Sequence, residues 1–349
     1  MFENTEKTEI SNLGEFGLID HLTKNINITH KTTVKGIGDD AAVLDFEGKK
    51  TLISTDLLLE GIHFDLAFTP LKHLGYKAIQ VNLSDIYAMN GMASHVTVSL
   101  GFSSRFPLEA IEELYAGMLL ACDKFNIDLI GGDTTSSRQG LVISVTSVGY
   151  ADEKDIVYRN GAEEGDLICV SGDLGGAYVG LQLLEREKQV FLANPNIQPD
   201  LEGKDYIVER QLKPEARLDI VDLLKKMEIK PTSMIDVSDG LASEILHITR
   251  QSKKGCKLYE EKIPFDPQTT EMARAFGLDP TVCALNGGED YELLFTIKQA
   301  DYDRLKHDVD ISIIGYITEE SAGNYIITKA GNAHELKAQG WNAFKSTKS

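Results

Sequence analysis

The segment LKHLGYKAIQVNLSDIYAM, residues 71–89, shows most directly how this chain folds. Its apolar residues recur at steps of three and four, which predicts an amphipathic helix with one face packed against a core. Asp85 falls on that apolar stripe, four residues after Val81 and three before Ala88. A carboxylate there is costly unless it is hydrogen-bonded, paired with a basic side chain or bound to a metal ion. The segment therefore predicts both a packed helix and a polar site beside it.

Six further aspartates lie in short segments rich in glycine, serine and threonine, where we expect a strand to end or a helix to begin. They are Asp39 and Asp40 in GDDA, Asp56 in STD, Asp133 in GGDTT, and Asp236 and Asp239 in DVSDG. If these side chains converge, each pair about 4 Å apart repels by roughly 4 kcal/mol at a protein surface. Mg²⁺ bridged to substrate phosphates is the usual remedy. The pattern therefore predicts a site for metal and phosphate.

Each segment also has an ordinary structural explanation. GDDA is compatible with a turn, and Asp239 of DVSDG is a suitable helix cap. STD is compatible with a helix cap or a strand-end turn. Otherwise we expect its two hydroxyls and its carboxylate to project together from the end of a strand. In GGDTT the glycines either form a turn or let the backbone approach a phosphate closely. The loop at residues 172–176 does not match the dinucleotide pattern G-x-G-x-x-G, so we interpret it as structural.

Composition argues against several classes of function. A net charge of −19 and a pI near 4.8 disfavour nucleic acid and anionic membranes as partners, because both require basic surfaces. An anionic small substrate is compatible with this charge, since bound metal reverses the local sign.

The first residues lack the features of a signal peptide, and no apolar run approaches the ~20 residues of a membrane span. The four scattered cysteines fit reduced core residues, so we expect a cytoplasmic protein.

Two domains are expected, because 349 residues exceed what one hydrophobic core usually fills. A charged stretch near residue 155 predicts domains at 1–155 and 156–349, both α/β. In the first domain the predicted strands are 41–44, 51–55, 96–102 and 141–150, and the predicted helices are 14–22, 71–89 and 108–125. In the second the predicted strands are 167–171, 234–237, 291–297 and 311–316, and the predicted helices are 176–187, 215–227 and 241–251. The polar segment 188–213 contains two prolines and is expected to be a surface insertion.

In this order the segments resemble those of the thiamine-monophosphate kinase family. GIGDDAA, STDLLLEGIHF, VNLSDIYAMNG, IGGDTT, DVSDGL and GGEDYELLF stand at comparable spacing along nearly the whole chain. That family is similar to aminoimidazole ribonucleotide synthetase and selenophosphate synthetase. The resemblance implies a two-domain α/β (α+β) fold like that of aminoimidazole ribonucleotide synthetase, with mixed sheets packed against helices. It also implies Mg²⁺-dependent phosphorylation of thiamine monophosphate by ATP to thiamine diphosphate, the last step in making that cofactor.

The resemblance further implies roles for residues at matching positions. The implied metal ligands, for several Mg²⁺ ions, are Asp40, Ser54, Thr55, Asp56, Asp85, Asp133, Asp236 and Asp239. The implied contacts with ATP come from Gly132, Asp133, Arg159, Ser238 and Tyr115. The implied contacts with thiamine monophosphate come from His63, Glu289 and Trp341. A homodimer formed through the N-terminal domain, with each site in a groove between domains, is also implied.

Two departures from the family pattern and two other interpretations stay open. Segment 188–213 is longer than the family leads us to expect, and the ending around Trp341 only approximates the family's.

Another enzyme of the superfamily would activate an amide or carboxylate oxygen, and a non-catalytic module would bind nucleotide without turnover. Selenophosphate synthetase fits poorly, because it needs a reactive cysteine near the N-terminus and the first cysteine here is Cys122. For the kinase we expect direct in-line transfer without a catalytic base, because a phosphate monoester is already anionic at neutral pH.

Overall fold

The computed structural model describes residues 21–35 and 43–340, and the chain forms two compact units. Unit 1 holds the described residues up to Ile86 together with Gly91–Lys154, and unit 2 holds Tyr87–Asn90 together with residues 155–340. Helices and mixed sheets make up both units, so the predicted α/β class is confirmed. No helix in the described residues has the length and apolar character needed to cross a membrane.

Unit 1 is built on a sheet of four strands. The strands of unit 1 are β1 (Thr33–Lys35), β2 (Val43–Leu44), β3 (Lys50–Leu59), β4 (Met92–Phe102), β5 (Asp128–Ser136) and β6 (Val142–Ala151). Its two long helices are α1 (Leu71–Ala88) and α2 (Leu108–Phe125). The four-stranded sheet has the order β3-β6-β4-β5, in which β4 and β5 run parallel and the other neighbours antiparallel. β1 and β2 form a separate antiparallel pair.

The sheet of unit 1 has one buried and one more exposed face, because alternate residues of a strand point to opposite sides. On β6, Ile143 and Val145 are fully buried whereas the residues between them are partly exposed. The same period puts Ser54 and Asp56 of β3 on its less exposed side and Thr55 on its exposed side. β3 therefore delivers polar groups to two different surfaces.

The two helices of unit 1 touch through their backbones at two glycines. A Cβ atom on Gly75 would lie 1.9 Å from the carbonyl oxygen of Leu114. A Cβ atom on Gly117 would lie 1.8 Å from the carbonyl oxygen of Lys72. No other residue fits at either position without moving a helix, so these contacts fix where α1 lies. They thereby fix the part of the candidate site that α1 carries.

Asp128, the first residue of β5, holds the segment around β1 in place. Its Oδ1 accepts from the N–H and the hydroxyl of Thr29 at 2.7 and 3.0 Å. Its Oδ2 accepts from the N–H of His30 at 3.0 Å and from the hydroxyl of Thr33 at 2.7 Å. Burial alone raises the pKa of Asp128, but these hydrogen bonds outweigh burial and keep the pKa below its usual range. Asp128 therefore stabilises unit 1 in its ionised form.

Unit 2 is built on a larger mixed sheet. Its strands are β7 (Leu167–Ser171), β8 (Ser233–Asp236), β9 (Lys254–Tyr259), β10 (Leu293–Ile297), β11 (Ile311–Glu319), β12 (Asn324–Ile327) and β13 (Ala333–Glu335). Its α-helices are α3 (Gly176–Ala193), α4 (Asp205–Leu212), α5 (Leu218–Lys226), α6 (Leu241–Ser252), α7 (Pro267–Ala275), α8 (Pro280–Asn286) and α9 (Tyr302–Leu305). The strands have the order β13-β12-β9-β11-β7-β10-β8, and only β12 and β9 run parallel.

The end of this larger sheet that holds β7, β10 and β8 is buried on both faces. Every residue of β8 and β10 is buried, and so are four of the five residues of β7. Strands covered on both sides read as continuous apolar runs instead of alternating ones. For this reason the runs LICVS and LLFTI predict strands in the sequence and form them in the structure.

Several elements differ from the sequence predictions. β3 runs to Leu59 instead of stopping at residue 55, so Asp56 lies inside the strand and not at its end. β5 lies outside the predicted elements and carries GGDTT, so its glycines are strand residues and not a turn. The helices α7 and α8 also lie outside them. A sequence signal for both exists, because Asp266-Pro267 and Asp279-Pro280 each place a capping aspartate before a proline at the first helical position.

The predicted surface insertion at residues 188–213 is largely exposed, but it contains helical residues at both ends. α3 continues to Ala193, and α4 occupies the last part of the segment with Ile207 fully buried. A Cβ atom on Gly180 would lie 1.9 Å from the carbonyl oxygen of Ile207, so α3 and α4 touch through their backbones. Residues 194–204 and Lys213 lie outside helices. The segment is thus anchored to unit 2 through α4, while residues 191–200, which include the end of α3, are exposed.

Replacing Asp128 by alanine is expected to destabilise unit 1 by about 3 kcal/mol, because the donors on Thr29, His30 and Thr33 lose their shared acceptor. Urea unfolding measures this loss. Hydrogen exchange at the Thr29 and His30 amides is expected to become faster. The difference from wild type should shrink as the pH falls below about 4, because a carboxyl with a depressed folded pKa loses its stabilising effect on protonation.

Asp123→Ala is the matched control, since Asp123 is an exposed aspartate on α2. It should change the free energy of unfolding by less than about 0.5 kcal/mol. Equal losses in the two variants would show that Asp128 does not anchor the segment.

Candidate functional site

Ser54, Asp56 and Asp85 form the first polar group of unit 1. Ser54 Oγ donates a hydrogen bond of 2.5 Å to Asp85 Oδ2, which joins β3 to α1. The main-chain N–H of Asp56 donates to Asn82 Oδ1 at 3.0 Å. Burial, and then the charge of Asp85, raise the pKa of Asp56 to about 6. Two carboxylates therefore share this corner of unit 1 at an electrostatic cost.

Thr55 does not join this group. Its hydroxyl lies on the opposite face of β3, where it donates to the Val145 carbonyl oxygen and accepts from the Thr146 hydroxyl, both at 3.0 Å. The expectation that the side chains of STD project together is therefore wrong, because successive side chains of a strand point to opposite sides. In this conformation the Thr55 hydroxyl cannot share a cation with Ser54 and Asp56.

Asp133 lies at the other edge of the same sheet. On β5 it stands opposite Ser99 of β4. Ser99 in turn stands opposite Ser144 of β6, which stands opposite Leu57 of β3. Three steps between neighbouring strands put Asp133 roughly 14 Å from β3. Among the described residues of unit 1, the predicted metal ligands therefore form two separate polar groups instead of one cluster.

A cavity of about 520 Å³ opens beside Asp133. Its lining includes Arg138 and the hydroxyl-bearing residues Ser99, Thr135 and Ser137. An arginine with several hydroxyls suits the oxygens of a phosphorylated ligand, and the exposed carboxylate of Asp133 suits the cation that such a ligand carries. The side chains on this surface therefore suit a nucleotide phosphate and its cation.

Gly132 is held tightly between two strands. A Cβ atom there would lie 1.8 Å from the carbonyl oxygen of Val98, its partner on β4. A Cβ atom on Gly131 would meet only the Thr97 side chain, at 3.7 Å. Strand pairing therefore requires glycine at position 132 whether or not a phosphate binds. The contact of Gly132 with ATP stays a prediction.

His63 and Tyr115 are the other candidates in unit 1. His63 Nδ1 accepts a hydrogen bond of 3.0 Å from the Leu59 N–H, so the neutral ring carries its proton on Nε2. The His63 side chain is half-buried beside the end of β3. Tyr115 belongs to the buried face of α2, and burial raises its pKa to about 12. Its contact with ATP stays a prediction.

In unit 2, Asp236, Ser238 and Asp239 stand where β8 ends and α6 begins. Asp236 is buried as the last residue of β8, whereas Asp239 is exposed. Gly240, not Asp239, occupies the capping position of α6. Burial raises the pKa of Asp239, His247 opposes that rise, and the charge of Glu289 adds to it. Asp239 and Glu289 are therefore electrostatic neighbours.

Glu244 belongs to the same polar group, although no motif in the sequence singles it out. Its Oε1 accepts from the Asp239 N–H at 3.1 Å. Burial, and then the charge of Asp236, raise its pKa to about 8, while the charge of Arg159 lowers it. Arg159, a predicted ATP contact, thus lies within electrostatic reach of this group. One sequence feature could have identified Glu244, namely its position in the first turn of a predicted helix. A carboxylate there meets unsatisfied main-chain N–H groups.

Glu289 lies in a turn with an unusual backbone. Glu289 and Tyr291 have φ angles of 59° and 52°, in the left-handed region that side chains other than glycine rarely adopt. The Glu289 N–H donates to the Ser238 carbonyl oxygen at 2.7 Å, and the Tyr291 N–H donates to that of Val237 at 2.9 Å. The turn is therefore bound directly to DVSDG. A predicted substrate residue and a predicted ATP contact lie side by side.

Asp39, Asp40 and Trp341 lie outside the described residues, as does the predicted helix 14–22 for most of its length. Of the predicted strand 41–44, the described half is Val43–Leu44, which forms β2. Within residues 21–35 and 43–340, no three side chains of histidine, cysteine, aspartate or glutamate are close enough to hold a metal ion alone. The groups around Asp56 and Asp236 nonetheless offer carboxylate oxygens, with His247 beside the second group. Such donors fit Mg²⁺, which usually takes one or two carboxylates and completes its shell with water and substrate phosphates.

Known proteins match the sequence of this chain over most of its length. The family described as AIR synthase related protein, N-terminal domain, matches residues 38–151. The chain is 33% identical to the thiamine-monophosphate kinase of Aquifex aeolicus over 335 residues, which cover 96% of this chain and 99% of that protein. It is 32% identical to the thiamine-monophosphate kinase of Bacillus subtilis over 339 residues, which cover 95% of this chain and 100% of that protein.

Solved structures are similar as well. A thiamine-monophosphate kinase from Stenotrophomonas maltophilia has a TM-score of 0.77 at 31% identity, and the match covers 92% of this chain and 98% of that one. A structure described as AaThiL complexed with AMPPCP and TMP has a TM-score of 0.74 at 33% identity, with coverage of 97% and 100%. The hydrogenase maturation protein HypE of E. coli has a TM-score of 0.71 at 18% identity, with coverage of 93% and 98%, and shows likeness of fold alone.

Gly132→Ala is expected to destabilise unit 1 by roughly 3 kcal/mol, because the new Cβ would overlap the Val98 carbonyl oxygen and separate β4 from β5. Gly131→Ala is the matched control and should change the free energy of unfolding by less than about 1 kcal/mol. Urea unfolding without nucleotide compares the two variants. A Gly132→Ala protein that unfolds like wild type and loses only nucleotide binding would refute the packing explanation.

Proposed function

The chain belongs to the thiamine-monophosphate kinase family, and we propose on that premise that it phosphorylates thiamine monophosphate with ATP as co-substrate. The product is thiamine diphosphate, and the reaction is the last step in its synthesis. The observation that carries the proposal is the similarity, over 97% of the chain, to a structure complexed with AMPPCP and TMP. AMPPCP stands in for ATP, because a methylene group replaces the oxygen that leaves on phosphoryl transfer.

The acceptor in this reaction supplies its own nucleophile. The second pKa of a phosphate monoester is about 6, so its oxygen is already anionic at neutral pH. No side chain is needed as a catalytic base. The obstacle is the repulsion between an anionic acceptor and the triphosphate of ATP. We propose direct in-line transfer, in which the protein aligns the two substrates and neutralises their charge.

Mg²⁺ ions, several per site, are the proposed means of neutralisation. The proposed ligands among the described residues are Ser54, Asp56, Asp85, Asp133, Asp236 and Asp239, and Asp40 is a further one outside them. Bound with the nucleotide phosphates, Mg²⁺ would supply the positive charge that a loose phosphoryl transition state requires. The carboxylates occur in small groups, so each ion would depend on the phosphates to complete its shell. Metal and nucleotide would then bind together.

The remaining candidate residues divide between the two substrates. For ATP we propose Arg159 and Ser238 in unit 2, and Gly132 and Tyr115 in unit 1. For thiamine monophosphate we propose His63, Glu289 and Trp341. The Nε2–H of His63 is a hydrogen-bond donor, and the carboxylate of Glu289 suits the positive charge of the thiazolium ring. An indole at position 341 offers a face on which a cationic ring can stack.

The four cysteines bear on the alternatives. All four are buried and free, and burial raises the pKa of Cys122 to about 12. A thiol of that kind cannot supply the reactive thiolate that selenophosphate synthetase would need. Free thiols fit a reducing compartment, and we propose the cytoplasm as the location.

We also propose a homodimer formed through unit 1. The exposed side of β3 carries Ile53 and Leu57, whose side chains are 69% and 50% exposed. Neighbouring apolar side chains on one sheet face indicate an interaction surface. A second copy of the chain is the expected occupant.

The wild-type chain, supplied with thiamine monophosphate, ATP and Mg²⁺, is expected to yield thiamine diphosphate and ADP in equal amounts by mass spectrometry. Asp56→Asn and Asp133→Asn should lower kcat at least 100-fold at millimolar Mg²⁺, because each removes a charge that holds a cation at the phosphates. Asp123→Asn, an exposed aspartate on α2, is the control and should keep wild-type kcat. Nucleotide binding without turnover would instead identify a binding module, and near-normal kcat in both site variants would refute the metal-ligand role.

Sedimentation analysis is expected to show a dimer of the 38.5 kDa chain, which Ile53→Asp converts to a monomer by placing a charge on the apolar face. Leu192→Asp is the control, because Leu192 in unit 2 is 63% exposed and lies on another surface. A wild-type monomer, or a dimer unaffected by Ile53→Asp, would contradict the proposed interface.

A further inference from the structure

Two side chains of α4 contact the turn that contains Glu289. Gln211 Nε2 donates a hydrogen bond of 2.9 Å to Glu289 Oε2. The Arg210 guanidinium lies 3.6 Å from Asp290 Oδ1 and 2.8 Å from Glu292 Oε1. It also donates to the main-chain carbonyl oxygen of Asp290 at 3.3 Å. α4 therefore contacts three of the four residues from Glu289 to Glu292.

This turn needs support from its surroundings. Glu289 and Tyr291 both adopt left-handed φ angles within three positions, and non-glycine residues pay free energy for that conformation. Such backbone persists only where neighbouring contacts determine it. On one side the main-chain hydrogen bonds to Val237 and Ser238 supply those contacts, and on the other side α4 supplies them.

The buried acids of the turn fix its backbone. Asp290 is fully buried, and its Oδ2 accepts from the Gly175 N–H at 2.8 Å. Glu292 is almost fully buried and binds Arg210, Arg217 and the Ser171 hydroxyl. Because residues 290 and 292 are held in this way, the backbone at Glu289 is fixed. The direction of its own carboxylate then depends on the groups that contact it.

We propose that Gln211 is a positioning residue for the kinase, and that its amide N–H aims the Glu289 carboxylate at the thiamine end of the substrate. The inference rests on the proposed function, in which Glu289 contacts thiamine monophosphate. A neutral amide is suited to this task, because it orients a carboxylate without cancelling its charge. A lysine or arginine there would form an ion pair and reduce the attraction for a cationic ring. Arg210 acts one step further away, by holding the backbone of the turn.

Gln211→Met keeps a similar volume at this buried position and removes the donor. The KM for thiamine monophosphate is expected to rise about tenfold, while kcat and the KM for ATP stay within twofold of wild type. Gln182→Met makes the same chemical change at a half-buried position on α3 and should leave both KM values unchanged. Gln211→Asn, which withdraws the amide by one methylene, should give the same selective rise if the methionine variant folds poorly.

A double-mutant cycle distinguishes positioning from general support of the fold. Glu289→Ala should raise the KM for thiamine monophosphate, and adding Gln211→Met to it should have no further effect, because Gln211 acts through that carboxylate. Fully additive effects would overturn the inference. So would an unchanged KM for thiamine monophosphate, or an equal rise in both KM values with a lowered Tm. A wild-type chain that makes no thiamine diphosphate would overturn the proposed function itself, and the inference with it.

Discussion

The burial of neighbouring carboxylates is the constraint on which both candidate sites depend. In unit 1 burial, and then the charge of Asp85, raise the pKa of Asp56 to about 6. In unit 2 burial and Asp236 raise the pKa of Glu244 from 4.5 to about 8. Carboxyl groups with strongly raised pKa values cluster at functional sites. A cation bound with phosphates would remove the repulsion, so ligand binding would stabilise each unit as well as prepare the reaction.

Local periodicity explains which parts of the fold are predictable from sequence. α2 occupies its predicted bounds, 108–125, because its apolar residues repeat at helical spacing. β7 does so at 167–171, because a short apolar run suits a strand buried on both faces. α4 shows what periodicity misses. It is eight residues long and polar in sequence, and its buried Ile207 finds its partner at Gly180, 27 positions earlier in the chain. A short stretch of sequence does not reveal a contact between residues that lie so far apart in the chain.

The candidate site, like the fold, is only partly predictable from the sequence. The segments identify which residue types gather, but strand period and strand order decide where each side chain points. Period two sends Thr55 away from Ser54 and Asp56, which is foreseeable once β3 is known to continue through the segment. The separation of Asp133 follows from the order β3-β6-β4-β5, which depends on pairing between distant segments. Gln211 lies outside any motif and reaches Glu289, 78 positions later in the chain, only through tertiary packing. Glu244 also lies outside any motif, but its hydrogen bond to Asp239 is local.

The contacts at the start of α3 explain why one phosphate-like loop is closed to phosphate. Helix N-termini attract anions, and the glycine-rich loop at 172–176 leads into α3 as a phosphate loop would. There the Asp290 carboxylate already accepts the N–H groups of Gly175 and Ala177, at 2.8 and 3.4 Å. The protein thus supplies its own anion, which supports the structural interpretation of this loop. α6 also begins after a glycine, Gly240, and the Glu244 carboxylate in its first turn accepts the Asp239 N–H at 3.1 Å. A phosphate there would meet the carboxylates of Asp239 and Glu244, so the proposed contact of Ser238 with ATP would require a cation between them.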